Sequence, residues 1–310
     1  MSRLSKYVKE KLVKVLVTAL VVGSVAGNGT VTVQAASYGC MKSFLGKAYN
    51  FGIVAESLNQ TAHMQSTFAV KNYTGNGQGV GDISQIGLGG YILIGNNTPE
   101  VKLESDFAKG VYGTFGGKQI NDYVDEMIEN VRQNCQAAAD LSSENILVNN
   151  GKDSDQVDMN NYTIDLSNAG NGYSYIDLTG EYSKIQEGGL KLTVSDGQTL
   201  VITIKDDSVG IKRFFMNGQS SADQNIFNMA DKVIFNLPNA TNVSIQSSIS
   251  GAIVAPEATV SYIGGTSMGW LVAKQITRTD SEWHQEVPNE IEPEESPAPS
   301  VSPNPETPGT

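Results

Sequence analysis

Cysteine and histidine, two of each, are scarce in this 310-residue chain, and positive charge is outnumbered by negative. Its two cysteines, Cys40 and Cys135, are too few to staple a small secreted scaffold, so the fold has to rest on its own core. One bridge between them fits an oxidising compartment, but two separate thiols, one near the mature terminus and one on a helix face, are the favoured reading. His63 and His284, set far apart from each other and from both cysteines, offer no zinc-type ligand spacing. With 21 Lys and Arg against 33 Asp and Glu, the formal charge is -12. A basic footprint for nucleic acid or anionic lipid is missing, and neither is expected as a partner.

Long apolar runs are scarce as well. The longest, residues 15–26, falls short of the roughly 20 residues that a membrane span needs. It follows a basic start (Arg3, Lys6, Lys9, Lys11, Lys14) and precedes small residues around Val33-Gln34-Ala35. This is the layout of a secretory signal peptide over residues 1–35, cleaved after Ala35. Cleavage removes five basic residues and Glu10, leaving a charge of -16 and no stable membrane insertion. At the other end, residues 287–310 hold seven of the 10 prolines and five acidic residues, the composition of an unfolded spacer. No L-P-x-T-G sorting signal follows that spacer, so the mode of cell attachment stays open.

Between these ends, residues 36–286 read as one domain rich in Gly, Asn, Ser and Thr. Short apolar runs punctuate it: FAV at 68–70, YILI at 91–94, LKLTV at 190–194, LVITI at 200–204, KVIFNL at 232–237, NVSI at 242–245, AIVA at 252–255 and WLVA at 270–273. β-branched runs bounded by Gly or Asn predict strands. An offset of 18 residues carries Gly251 to Gly269, Ile253 to Leu271, Val254 to Val272, Ala255 to Ala273 and Ala258 to Ile276. Self-similarity at that period suits successive turns of a parallel β-solenoid. One segment, 119–141, breaks the pattern by placing Ile120, Val124, Met127, Ile128, Val131, Cys135 and Ala138 at spacings of three and four. It predicts a single amphipathic helix, capped by Asn121 or Asp122, with its apolar stripe on the β core.

Candidate chemistry is thin. Gly265-Thr266-Ser267-Met268-Gly269 matches G-x-S-x-G, with Asp280 and His284 following in the order of an α/β-hydrolase. Such an elbow needs a strand before the serine and a helix after it, whereas GWLVAKQIT is strand-like. Ser267 is therefore expected in a glycine-framed turn. Residues 153–158 carry Asp153, Asp155 and Asp158 but lack the glycine and closing glutamate of an EF-hand, and a solvated acidic turn is expected, with calcium binding left open. GNGQGVG at 75–81 lacks dinucleotide or P-loop spacing and reads as a turn. No residue is assigned a catalytic, cofactor-binding or metal-binding role.

The two ends of the domain carry a resemblance. LGKAYNFGIVAESLN at 45–59 with FAVKNYTG at 68–75, and KVIFNLPNATNVSI, SGAIVAPEATVSYIGGTSMGWLVAKQI and SEWHQ near the end, resemble the choice-of-anchor A domain family. Lys71-Asn72 departs from the family's usual glycine pair, and Trp283 sits inside its Glu-x-His finish at Glu282 and His284. The resemblance implies a mainly β protein, a right-handed parallel β-helix (solenoid) with one long α-helix packed alongside. It also implies a secreted bacterial adhesin of Gram-positive type at the cell surface or cell wall. With the Asn-, Ser- and Thr-rich composition, the resemblance implies a non-enzymatic module that takes an extracellular glycan or a matrix or cell-surface protein, with no cofactor. A polysaccharide-active enzyme on the same fold and a passive display domain are the alternatives. Thr259, Thr277 and Thr279 do not make the regular threonine ladder that an ice-binding face would use.

Overall fold

The computed structural model describes residues 34–75, 77–81, 90–97, 100–104, 108–142, 158–223 and 229–285. Among these residues the largest sheet has twelve strands, every pair in it parallel. In chain order they are β1 (Ile53–Gln60), β2 (Phe68–Gly75), β3 (Tyr91–Ile94), β4 (Lys109–Tyr112), β5 (Gly172–Asp177) and β6 (Gln198–Thr203). There follow β7 (Ser208–Ile211), β8 (Val233–Asn236), β9 (Asn242–Ile245), β10 (Ser250–Tyr262), β11 (Ser267–Thr279) and β12 (Trp283–His284). The main path runs β5-β6-β8-β10-β11-β1-β2-β3-β4, with β7 and β9 continuing beside the second half of β10, and β12 on β11. The last long strand, β11, thus lies between β10 and the first strand, β1.

All eight predicted apolar runs lie in strands, and their continuity has a physical cause. Both faces of the first strand halves are buried, so alternate residues serve two different cores. Ile53, Phe68, Ile92, Leu200, Val233, Ile253 and Leu271 enter one core. Their neighbours Val54, Ala69, Leu93, Val201, Ile234, Val254 and Val272 enter the other, beneath the helices. The first core is closed by the second strand halves, through Leu58, Tyr73, Val243, Val260 and Ile276, and by a four-stranded sheet that supplies Ile164, Leu192 and Met216.

The 18-residue repeat is visible in the pairing of β10 with β11. Gly251 faces Gly269, Ile253 faces Leu271 and Ala255 faces Ala273. Beyond Ala255 the expected pairing of Ala258 with Ile276 gives way to Val260 with Ile276, because a bulge intervenes before Thr259. Pro256 lies in that bulge, where its missing N–H costs the ladder no bond. Gly269 is fixed by close approach: at φ +129, a Cβ there would lie 2.1 Å from the Gly251 carbonyl oxygen.

Two helices cover the second core. The predicted helix is α2 (Ile120–Leu141), and its buried residues are the predicted stripe plus Ala139. Each larger aliphatic side chain buried in this way contributes about 1.5–3 kcal/mol. The expected caps are not used: Gln119 holds the N-cap position without a side-chain hydrogen bond. Asn121 instead bonds to Asn96. Lys71, at the position where a glycine is usual in the resembling family, reaches Asp125 on α2 at 2.5 Å. The other helix, α1 (Gln34–Leu45), is not foreseen in the sequence reading; Met41, Phe44 and Leu45 are buried on it. Asn134 of α2 donates to the Phe44 carbonyl at 2.8 Å. Cys40 and Cys135 are free thiols. Of the predicted leader, only Gln34 and Ala35 fall within the described residues, at the start of α1; the predicted spacer lies outside them.

Candidate binding face

The second strand halves present one flank to solvent, and their period of two decides what stands there. With Val209, Val243, Val260, Ile276, Leu58 and Tyr73 turned into the core, the intervening residues point outward. A single file of register partners runs Ser208, Asn242, Thr259, Gln275, Ser57, Asn72 across β7, β9, β10, β11, β1 and β2. Beside it, Gly210, Ser244 and Ser261 lead to Arg278, and Asn59 pairs with Thr74. Six parallel strands at 4.7–4.9 Å spacing make this face about 24 Å wide from first to last.

Its chemistry is uniform. Neither file contains an acidic residue, although the chain carries a net charge of -12. Arg278 is the cation in the second file, and Asp280 pairs with it; that hydrogen bond lowers the Asp280 carboxyl below its usual range. Some amides brace the face internally: Asn59 donates to the Thr277 carbonyl at 2.9 Å, and Asn242 to the Thr241 hydroxyl at 2.9 Å. The side chains of Ser57, Thr74, Ser208, Ser244, Thr259, Ser261 and Gln275 make no hydrogen bond to another group among the described residues. An array of open hydroxyls with the Gln275 amide results, able to accept and donate many weak bonds at once. Thr277 turns its hydroxyl to the Val260 carbonyl and Thr279 is buried, so the threonines form no ladder, as expected.

The residues of the G-x-S-x-G reading do not assemble. Ser267 opens β11 rather than sitting in the turn expected for it, and it is fully buried. Its Oγ accepts the Ile249 N–H at 3.0 Å. Asp280 accepts from Thr61 at 3.2 Å, and His284 lies against Glu282. The glycine-rich 75–81 stretch is likewise more than a turn, because Val80–Gly81 pairs with Leu103–Glu104. Of the acidic 153–158 loop only Asp158 is described, where it accepts the Asn160 N–H at 2.9 Å; residues 153–157 lie outside the described residues.

One constellation was not foreseen. Both histidines of the chain meet two glutamates near β12: His63 Nδ1 lies 3.1 Å from Glu282 Oε1, and His63 Nε2 lies 3.0 Å from Glu104 Oε2. His284 Nε2 lies 3.3 Å from Glu282 Oε2. Burial lowers the His284 pKa, partly opposed by Glu282. Glu282 and His284 drew notice in the sequence as a closing pair, whereas their link to His63, 219 residues before Glu282, and the link of His63 to Glu104, 41 residues on, left no signal there. Among the described residues, no group of three or more His, Cys, Asp or Glu side chains is arranged to hold a metal ion. No helix among them is long and apolar enough to cross a membrane.

Solved structures that the chain is similar to include three ice-binding proteins. One is from the Antarctic ascomycete Antarctomyces psychrotrophicus, at 11% identity, covering 80% of this chain and 98% of that chain with a TM-score of 0.36. A second, LeIBP from an Arctic yeast, has 13% identity, covers 83% of this chain and 96% of that chain, and has a TM-score of 0.36. A third, from an Antarctic biological consortium, has 12% identity, coverage of 78% and 88%, and a TM-score of 0.34. No curated protein matches the chain. In sequence, the family described as "Putative Ice-binding-like adhesive domain" matches residues 15–285, and the chain belongs to that family.

Proposed function

We propose that this chain is a secreted bacterial surface module that adheres, without catalysis, to an extracellular glycan or to a matrix or cell-surface protein. Its stacked parallel strands form a right-handed β-solenoid of the choice-of-anchor A kind, and the ligand lies across the six-stranded polar face. The observation that carries this reading is that face: two files without an acidic residue in an acidic chain, lined by hydroxyls and the Gln275 amide that make no hydrogen bond among the described residues. Contacts of this kind are weak singly and specific in register. Membership of an adhesive family supports it. Against the polysaccharide-active alternative, the carboxylate pairs that converge are occupied: Glu104 and Glu282 by the His63 imidazole, Glu56 and Asp125 by Lys71, and Glu129 and Glu257 by Arg132.

The test is to incubate the full chain with arrays of bacterial and host glycans and of matrix proteins, scoring retention and product release together. Retention without product is the expected result. Product release would replace adhesion by catalysis, and the absence of both would leave a display domain.

A further inference from the structure

His63 stands in the loop between β1 and β2 with a carboxylate against each ring nitrogen, Glu282 at Nδ1 and Glu104 at Nε2. Ionised carboxylates only accept hydrogen bonds, and a neutral imidazole has one N–H to give. Both contacts are satisfied together only when the trio Glu104–His63–Glu282 holds one proton more than a neutral ring between two carboxylates. The three groups come from three separate places in the chain. Glu104 ends the Leu103–Glu104 strand, and Glu282 precedes β12. Gly79 makes room for Glu104, since a Cβ there would lie 1.8 Å from Glu104 Oε1.

We propose that Glu104, His63 and Glu282 form a proton-operated clamp that fastens the segment 282–285 to the loop after β1, at the point where the chain continues toward residues 286–310. The backbone at the clamp is held by three hydrogen bonds: Gln65 N–H to Trp283 O at 3.0 Å, Gln285 N–H to Gln65 O at 3.1 Å and Ser267 N–H to Glu282 O at 3.0 Å. With the extra proton bound, His63 adds two charge-assisted bonds across these strands. Without it, one of the two contacts faces acceptor to acceptor and the segment is held less firmly.

The other charged groups in reach are Lys102, whose Nζ lies 3.8 Å from Glu104 Oε1, and His284 on Glu282. Asp280, farther along, is occupied by Arg278 and Thr61. His284 works with the opposite sign. Its proton affinity is lower in the folded state, so its contribution is present above the ordinary imidazole range and is lost as pH falls through that range. Because His63 is among the groups that lower His284, the comparison of wild type with its variants is repeated in a His284→Gln background, which removes that share.

The experiment is hydrogen exchange on the full chain, read at the Gln65, Ser267 and Gln285 amides and corrected for intrinsic rates, at about pH 5.5 and about pH 8. Wild type should exceed His63→Gln in protection by about tenfold at the lower pH and by little at the higher one. Glu104→Gln supplies an amide that can donate to a neutral ring, so its protection relative to wild type should rise from low pH to high. An equal wild-type to His63→Gln ratio at both pH values would overturn the clamp. So would a Glu104→Gln protein that tracks wild type throughout. Should His63→Gln fail to fold, the Glu104→Gln comparison decides alone.

Discussion

At Ser267 the chain shows how a residue that looks chemical can be structural. Its neighbours spell a nucleophile motif, yet the hydroxyl is buried and satisfies the Ile249 N–H. Replacing it by alanine leaves that buried N–H without an acceptor, a loss of about 1–3 kcal/mol. Ser267→Ala should therefore lower the thermal midpoint while leaving ligand retention on the folded protein unchanged. Unchanged stability together with lost retention would contradict the structural role. The sequence reading set the catalytic elbow aside because the flanking GWLVA is strand-like, and that stretch does lie in β11. The sequence did not allow the correct location, because a buried serine at a strand start and an exposed serine in a turn share the same letters. The His63 cluster was hidden for a similar reason: its members are scattered over more than 200 positions, and only the parallel pairing brings them together.

At the level of elements, α2 was the most legible part, since an apolar stripe at spacings of three and four has no strand counterpart. What the stripe could not tell was how the helix begins. Asn121 and Asp122 look like caps in sequence, but Lys118 and Gln119 pair with Thr114–Phe115 and run directly into the helix. Met127 lies at the centre of the buried stripe, and Met127→Ala should cost about 2–5 kcal/mol. Gln133, on the outer face, bonds through its side chain to Glu129 alone among the described residues, and its replacement by alanine should change stability by less than about 0.5 kcal/mol. Chemical denaturation of the two variants separates these outcomes; equal losses would mean that the helix is not seated as described. The strands were legible where both faces are buried. Their second halves, with one face polar, were read only at NVSI, and the bulge at Pro256 shifted the repeat by a distance no periodicity could supply.

On the scale of the whole molecule, the decisive feature is the position of β11. It pairs with β10 on one side and β1 on the other, so the first and last long strands meet in the middle of the sheet. A chain ending at Gly265 would leave both flanking strands without their partner and should show no cooperative unfolding transition in circular dichroism. A sharp transition in that truncated chain would contradict the arrangement. The same meeting of ends completes the polar face, since Gln275 of β11 links Thr259 to Ser57 across it. The face could not be seen in sequence because its members alternate with core residues on six strands drawn from opposite ends of the chain.

The most direct test of adhesion through this face is a binding titration with the ligand retained on the arrays. It would use wild type, a Ser244→Arg/Thr259→Arg double variant on the face, and Gln133→Arg on the outer side of α2. The account predicts that the face variant binds at least about tenfold more weakly, about 1.4 kcal/mol, while Gln133→Arg matches wild type. Equal affinity of the face variant and wild type would contradict it.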